Sequence, residues 1–187
     1  MSISELIRSR RSVYPNQYSG EKVPDEIILE ALENANCAPN HGKTEPWRFI
    51  LFKDESLLKL AQFQADLYKM TTAPDLFKSA KYQKFFDKAN NSSHIIAIVH
   101  HRNEPNKIPL IEEYEAIGCA VQNFHLTISS KGYGGYWSTG GVYNEEMKTF
   151  LKLAPNQNCF GLFYIGVPNV TPKPKERGAL QDKVKWF

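Results

Sequence analysis

The 187-residue sequence predicts a layered α/β domain, and two observations carry that expectation. Stretches with apolar residues at helical spacing alternate with short apolar runs of strand length, "WRFILF", "HIIAIV" and "CFGLFYIGVP". A composition of 42% hydrophobic and 12% aromatic residues can bury a sizeable core, so one domain over residues 1–187 is expected.

The elements follow in order. Ser2-Ile3-Ser4-Glu5 has the S-x-x-E form of a capping box, with Ile3, Leu6 and Ile7 at helical spacing, so a short first helix should end near the basic cluster. Pro24-Asp25-Glu26 opens a second helix with an apolar stripe of Ile27, Ile28, Ala31, Leu32 and Ala35, stopping before Pro39. Trp47 to Phe52 reads as a buried strand and Ser56 to Met70 as a helix. The Lys- and Phe-containing stretch from Thr71 to Asn91 shows a weak pattern and is expected to be mobile. "HIIAIV" is the second strand, its partners unreadable.

From Ile111 to Lys131 runs the longest helical pattern. Its small residues Ala116, Gly118, Cys119 and Ala120 predict a central, heavily packed helix with Cys119 as a packing residue. "GYGGYWSTGG" combines glycine turns with a short strand at Tyr136 and Trp137, Glu145 to Leu153 is a helix, and "CFGLFYIGVP" is a strand. Pro168 to Gly178 reads as a surface arm leading to "ALQDKVKWF", whose terminal Trp186 and Phe187 are expected to dock on something.

Composition also narrows function. The net charge of +3, from 23 basic and 20 acidic residues, is dispersed, which argues against a nucleic-acid groove. No apolar run is long enough for a membrane helix, and the N-terminus has no apolar signal core. Cys37, Cys119 and Cys159, an odd number without C-x-x-C spacing, fit reduced thiols of a cytoplasmic protein.

Several residues could carry chemistry. Arg8, Arg10, Arg11 and Ser12 either complement the negative end of a helix dipole or form a phosphate clamp of guanidinium forks and a hydroxyl. The loop "APNHGKTEPWRF", with Asn40, His41 and Lys43, is either a solvated connection or a ligand clamp. His100 and His101, adjacent on a strand, point to opposite faces and do not make a metal site. His94 and His125 have no readable partner. Glu112, Glu113 and Glu115 lie in a helix's first turns, where solvated, dipole-favoured carboxylates are expected. Gly132, Gly134 and Gly135 either close a helix or let main-chain amides approach a planar ligand. The chain has no G-x-G-x-x-G fingerprint, Walker loop or G-x-S-x-G elbow.

Taken in order, "RRS", "APNHGKTEPWRF", "GCAVQN", "GYGGYWSTG" and "GLFYIGVP" closely resemble the FMN-dependent nitroreductase family over essentially the whole chain, nearest its compact YdjA-type branch. The resemblance implies an α+β fold, a three-layer sandwich with a central antiparallel sheet flanked by helices, and a homodimer with two FMN sites at its interface. By family pattern Arg10, Arg11 and Ser12 bind the FMN phosphate and ribityl region, Cys37 and His41 reach the flavin of the opposite subunit, and Trp137, Ser138 and Thr139 border the isoalloxazine or ribityl chain. It implies ping-pong reduction of nitroaromatic or quinone-like acceptors with NADH or NADPH as donor, and no strictly catalytic side chain. A flavin-sequestering protein with little turnover is the alternative. The chain departs from the pattern at Tyr14, where many relatives have Arg or Lys, at Lys43 and Glu45, and at Cys37, where the YdjA-like pattern has arginine.

Overall fold

The computed structural model describes residues 1–105, 107–172 and 176–187. Its helices are α1 (Ile3–Ser9), α2 (Asp25–Asn36), α3 (Glu55–Thr71), α4 (Ser79–Asn91), α5 (Leu110–Ser130) and α6 (Glu145–Phe150). The strands are β1 (Trp47–Lys53), β2 (His94–His101), β3 (Gly134–Ser138) and β4 (Gln157–Gly166), joined in the order β1-β2-β4-β3 with every neighbour antiparallel.

This corrects the layered α/β expectation drawn from periodicity and agrees with the α+β sandwich. The reason lies between β1 and β2. A single crossover helix would carry the chain to the opposite end of the sheet for a parallel strand, whereas the pair α3 and α4 returns it to the end it left, where Lys53 lies opposite His94. The helix α4 is itself a correction, because Thr71 to Asn91 had been expected to be mobile. Tyr82, Phe85, Phe86 and Ala89 share one face at helical spacing; Phe85 and Phe86 pack on the core around Ala89, and Tyr82 stacks with Phe86. Four lysines between Lys78 and Lys88 diluted that period in the sequence.

Both sheet faces are covered, and period-two alternation sorts the strand side chains between them. Trp47, Ile96, Ile98, Phe163 and Ile165 face α2 and α5; Phe52, Ile95, Ala97, Leu162 and Tyr164 face α3, α4 and α6. α5 is the central helix its small residues predict, with Ala116, Ile117, Ala120, Val121, Phe124 and Ile128 buried. Cys119, expected to pack, is instead exposed on the outer face of that helix, as Cys37 is at the end of α2.

Close approach requires glycine at several positions, Gly135 and Gly161 among them. A Cβ on Gly135 would stand 2.7 Å from the Phe163 ring and 3.1 Å from His125. One on Gly161 would stand 2.1 Å from the Trp137 indole nitrogen. Gly135 therefore serves the packing of β3 on its own core. α1 buries none of its residues, leaving Ile3 73% exposed, and the tail leaves Trp186 91% exposed. Lys173, Pro174 and Lys175 of the expected surface arm lie outside the described residues. Among the described residues no helix is long and apolar enough to cross a membrane.

Candidate functional site

The segment after α1 is the first component. Its capping box is present, with Ser2 and Glu5 exchanging bonds, but the helix ends at Ser9 and only Arg8 lies in its last turn. Arg10, Arg11 and Ser12 leave it and run alongside β3. Ser12 bridges Gly135 in parallel, and the Val13 N–H donates to the Gly135 carbonyl at 3.0 Å. The helix-end explanation thus holds for Arg8 and also for Arg11, whose Nη1 donates to the Arg8 carbonyl in the last turn of α1.

A cleft of about 520 Å³ opens here, lined by Arg10, Arg11, Ser12, Tyr14 and, from the C-terminal arm, Arg177. Burial, then the charges of Arg177 and Arg11, hold the Arg10 guanidinium below its ordinary pKa. Its neighbour at 3.5 Å is the Nδ1 of His125. Burial, with help from Arg10, pushes the His125 pKa down to about 4, so at neutral pH the ring is uncharged and can accept from the guanidinium. Among the described residues no carboxylate lines this cleft. Three guanidiniums and a hydroxyl with no internal counter-charge suit an anion with several acceptor oxygens. Tyr14, where many relatives of the resembled family have Arg or Lys, packs tilted against Tyr136 with ring centroids 4.5 Å apart, and Arg177 brings the third charge from the other end of the chain.

β3 carries the next components. Trp137 packs on Phe160, and its indole nitrogen is buried without a hydrogen-bond partner, as are Arg11 Nε and His125 Nε2. Ser138 and the glycines after Thr139 border a second cavity, of about 650 Å³, against α3 and α4. The structure thus brings Arg10, Arg11 and Ser12 beside the strand that bears Trp137, Ser138 and Thr139.

Cys37 and His41 sit elsewhere. Cys37 caps α2, and His41 begins a short 3₁₀ turn, His41–Lys43. The loop is pinned at both ends, where Trp47 Nε1 donates to Asn36 Oδ1 at 2.9 Å, and within, where the Glu45 N–H donates to Asn40 Oδ1 at 3.1 Å. Lys43 and Glu45 both hold positive φ, 56° and 44°, a conformation that side chains with a Cβ adopt at a cost. This is a constrained loop. His41 pairs with Glu112 in the first turn of α5, whereas Arg10 meets His125 thirteen residues on. A helix rises about 1.5 Å per residue, so the two clusters are roughly 20 Å apart along α5 within one chain.

One cluster overturns a sequence expectation. Glu113, taken with Glu112 and Glu115 as solvated, is fully buried. It accepts from His100 Nε2 at 2.7 Å and from the Asn103 N–H at 3.1 Å, and pairs with Arg102 at 2.9 Å. Burial raises its pKa, but these donors outweigh it and hold the carboxyl below its usual value. His101 points away to Gln157. Among the described residues no group of three His, Cys, Asp or Glu side chains could hold a metal ion.

The antiparallel sandwich and its cleft define a class: an α+β fold with a cluster of guanidinium groups along its edge strand. The sequence profile of the nitroreductase family matches residues 7–167, and the chain belongs to that family. The YfhC protein of Bacillus subtilis (strain 168), provisionally named an NAD(P)H nitroreductase, is 29% identical over 97% of this chain and 92% of its own. A crystal structure of a nitroreductase-like family protein from Bacillus cereus superposes with a TM-score of 0.87 at 26% identity, covering 100% of this chain and 96% of that one. The same fold, at a TM-score of 0.80 and 17% identity over 100% and 99% of the two chains, occurs in an FMN- and NADPH-dependent nitroreductase, NfnB, from Sphigopyxis sp. strain HMH.

Proposed function

We propose that residues 1–187 form one FMN-binding domain of an oxidoreductase that uses NADH or NADPH to reduce nitroaromatic or quinone-like acceptors. The observation that carries this reading is the cleft of Arg10, Arg11, Ser12 and Arg177, which among the described residues has cations but no carboxylate. A phosphate monoester fits that donor set, and the orphaned Arg11 Nε and Trp137 Nε1 are donors a polar cofactor can satisfy. Family membership and the FMN-dependent structural neighbour support the choice of FMN. When bound, FMN supplies hydride acceptance from a nicotinamide and its delivery to an acceptor. The protein's part is to hold and expose it. Arg10, Arg11 and Arg177 neutralise the phosphate, Ser12 adds a hydroxyl, and neutral His125 orients the Arg10 guanidinium without adding a fourth charge. Trp137, Ser138 and Thr139 border the ring or ribityl chain from β3. No side-chain nucleophile or general base is required.

The site is completed by a second copy of the chain. His41 lies roughly 20 Å along α5 from its own chain's Arg10, too far to share one flavin phosphate end with it, and α1 leaves Ile3 and Ile7 exposed. In a two-fold dimer, Arg10 of one subunit serves the flavin that the other subunit's His41 loop approaches. Exchanging subunits between Arg10→Ala and His41→Ala proteins should restore about a quarter of the sites. Activity that stays at the parental average in mass-verified heterodimers would separate the two clusters.

Denaturing the purified protein and chromatographing the released small molecule tests the cofactor directly, and FMN is the expected product. Anaerobic addition of NAD(P)H should bleach the bound flavin, and an added nitroaromatic should restore its colour. A flavin that NAD(P)H leaves oxidised would favour the sequestering alternative. A folded protein that takes up no flavin sinks the assignment.

A further inference from the structure

The cavity of about 650 Å³ between α3, α4 and the loop after β3 is not used by the phosphate clamp. Its walls join aromatic surface, from Tyr68 and Phe85, to a row of cations on α4, Lys81, Lys84 and Lys88, and to Ser138 at the end of β3. The lysines stand at i, i+3 and i+7, which places them on one helix face. Glu146 is the single carboxylate among the lining residues. Three positive charges therefore face one negative charge.

None of these lysines joins an ion pair among the described residues, whereas Lys22, Lys53 and Lys131 each reach a carboxylate elsewhere in the molecule. Instead, the Lys81 ammonium lies 4.4 Å over the Tyr68 ring and that of Lys88 lies 5.7 Å over Tyr164. Burial, then the charge of Lys84, holds Lys88 below its ordinary pKa, so this ammonium is short of both water and counter-charge. Like charges at i,i+3 and i,i+4 repel, and a cluster that gathers them against aromatic rings complements an aromatic anion.

We propose that this cavity is the acceptor site and that it selects aromatic acceptors bearing a carboxylate, the ring lying against Tyr68 and Phe85 and the carboxylate meeting Lys81, Lys84 and Lys88. This rests on the reading of Ser138 as a residue at the flavin border. For a nitrobenzoate the balance is two electrons and two protons taken up by the nitro group, one N–O bond broken, and water and the nitroso compound formed. The electron pair and one proton derive from NAD(P)H, the other proton from solvent.

The test uses the flavin-loaded protein with 4-nitrobenzoate and 4-nitrobenzamide as acceptors, and benzoate as a non-reducible probe. Flavin content and anaerobic bleaching by NAD(P)H are measured first, because failure there removes the oxidoreductase reading itself. With those in place, Lys81→Met/Lys84→Met/Lys88→Met should lower the ratio of kcat/KM for nitrobenzoate over nitrobenzamide at least tenfold. Benzoate binding, followed by calorimetry, should disappear in the same variant. The corresponding triple Lys→Arg protein, which keeps the charge, should retain the ratio and controls for damage to the α4 fold. An unchanged ratio overturns the proposal. So does a loss confined to the NAD(P)H bleaching rate, which would give the lysines to the donor's phosphates.

Discussion

The two ends of helix α5 handle charge in opposite ways. At its N-terminal end, Glu112 meets His41 and Glu113 meets His100 and Arg102, so each charged group has an internal partner. At its C-terminal end, His125 meets Arg10, with Arg11 and Arg177 beside it and no carboxylate among the described lining residues. In the first arrangement the buried carboxylate is paired within the chain, which makes it architectural. The second has no carboxylate counter-charge among its described lining residues, which is why it is the proposed phosphate site.

The comparison breaks most severely at Glu113. Glu113→Ala leaves buried His100 and Arg102 without their acceptor, and removing one member of such a network costs about 3–5 kcal/mol. Urea unfolding should show a loss of that size, and a variant as stable as the parent would deny the N-terminal end its architectural role. Arg10→Ala should act the other way round. It relieves like-charge repulsion in the free protein, so stability should hold or rise, while FMN affinity falls by about 1.5–3 kcal/mol, the range for a bond to a charged group. A fluorescence titration reads this, and unchanged affinity would take Arg10 out of the clamp.

Titration of His125 sharpens the contrast at an intermediate size. Its folded-state pKa of about 4 lies below the ordinary value of 6.5, so between those limits the unfolded chain binds the extra proton. Stability is thus intact above pH 6.5 and is lost as the pH falls toward 4. From pH 7 to pH 5 the single group accounts for about 2 kcal/mol, and His94, also depressed chiefly by burial, acts in the same direction. His125→Gln should flatten the acid limb of the unfolding curve by roughly that amount, and an acid limb identical to the parent's would place the titration elsewhere. The smallest effect is expected at Glu112→Gln. That pair with His41 is half exposed, so about 0.2–1 kcal/mol or less is at stake in urea unfolding. A loss as large as that of Glu113→Ala would erase the distinction between neighbouring carboxylates.

That Glu112 and Glu113 differ at all shows where sequence reading stopped. Consecutive residues of one helix point about 100° apart. Which of the two faces the sheet depends on how α5 is rotated against β2, and no local pattern records that rotation. The same holds for His125 and Arg177, neither nominated from the sequence. Arg10 and His125 are 115 positions apart, and Arg177 arrives from the far end of the chain. Helix α4 was missed for a different reason. Its apolar face was present but outnumbered by lysines, and only packing against α3 and β4 singles it out.

By itself the sequence determined the capped first helix, the stripe of α2, the apolar strands, the small-residue helix at the centre, and the order of motifs that resembles the nitroreductase family. These are local properties, written in spacing and in runs of neighbouring residues. Strand direction, the burial of Glu113, the exposure of Cys119 and the gathering of Arg10, Arg11, His125 and Arg177 around one cleft were decided by tertiary structure. Each depends on contacts between segments far apart in the chain, where burial sets the cost of every charge and the partner across the gap decides whether that cost is met.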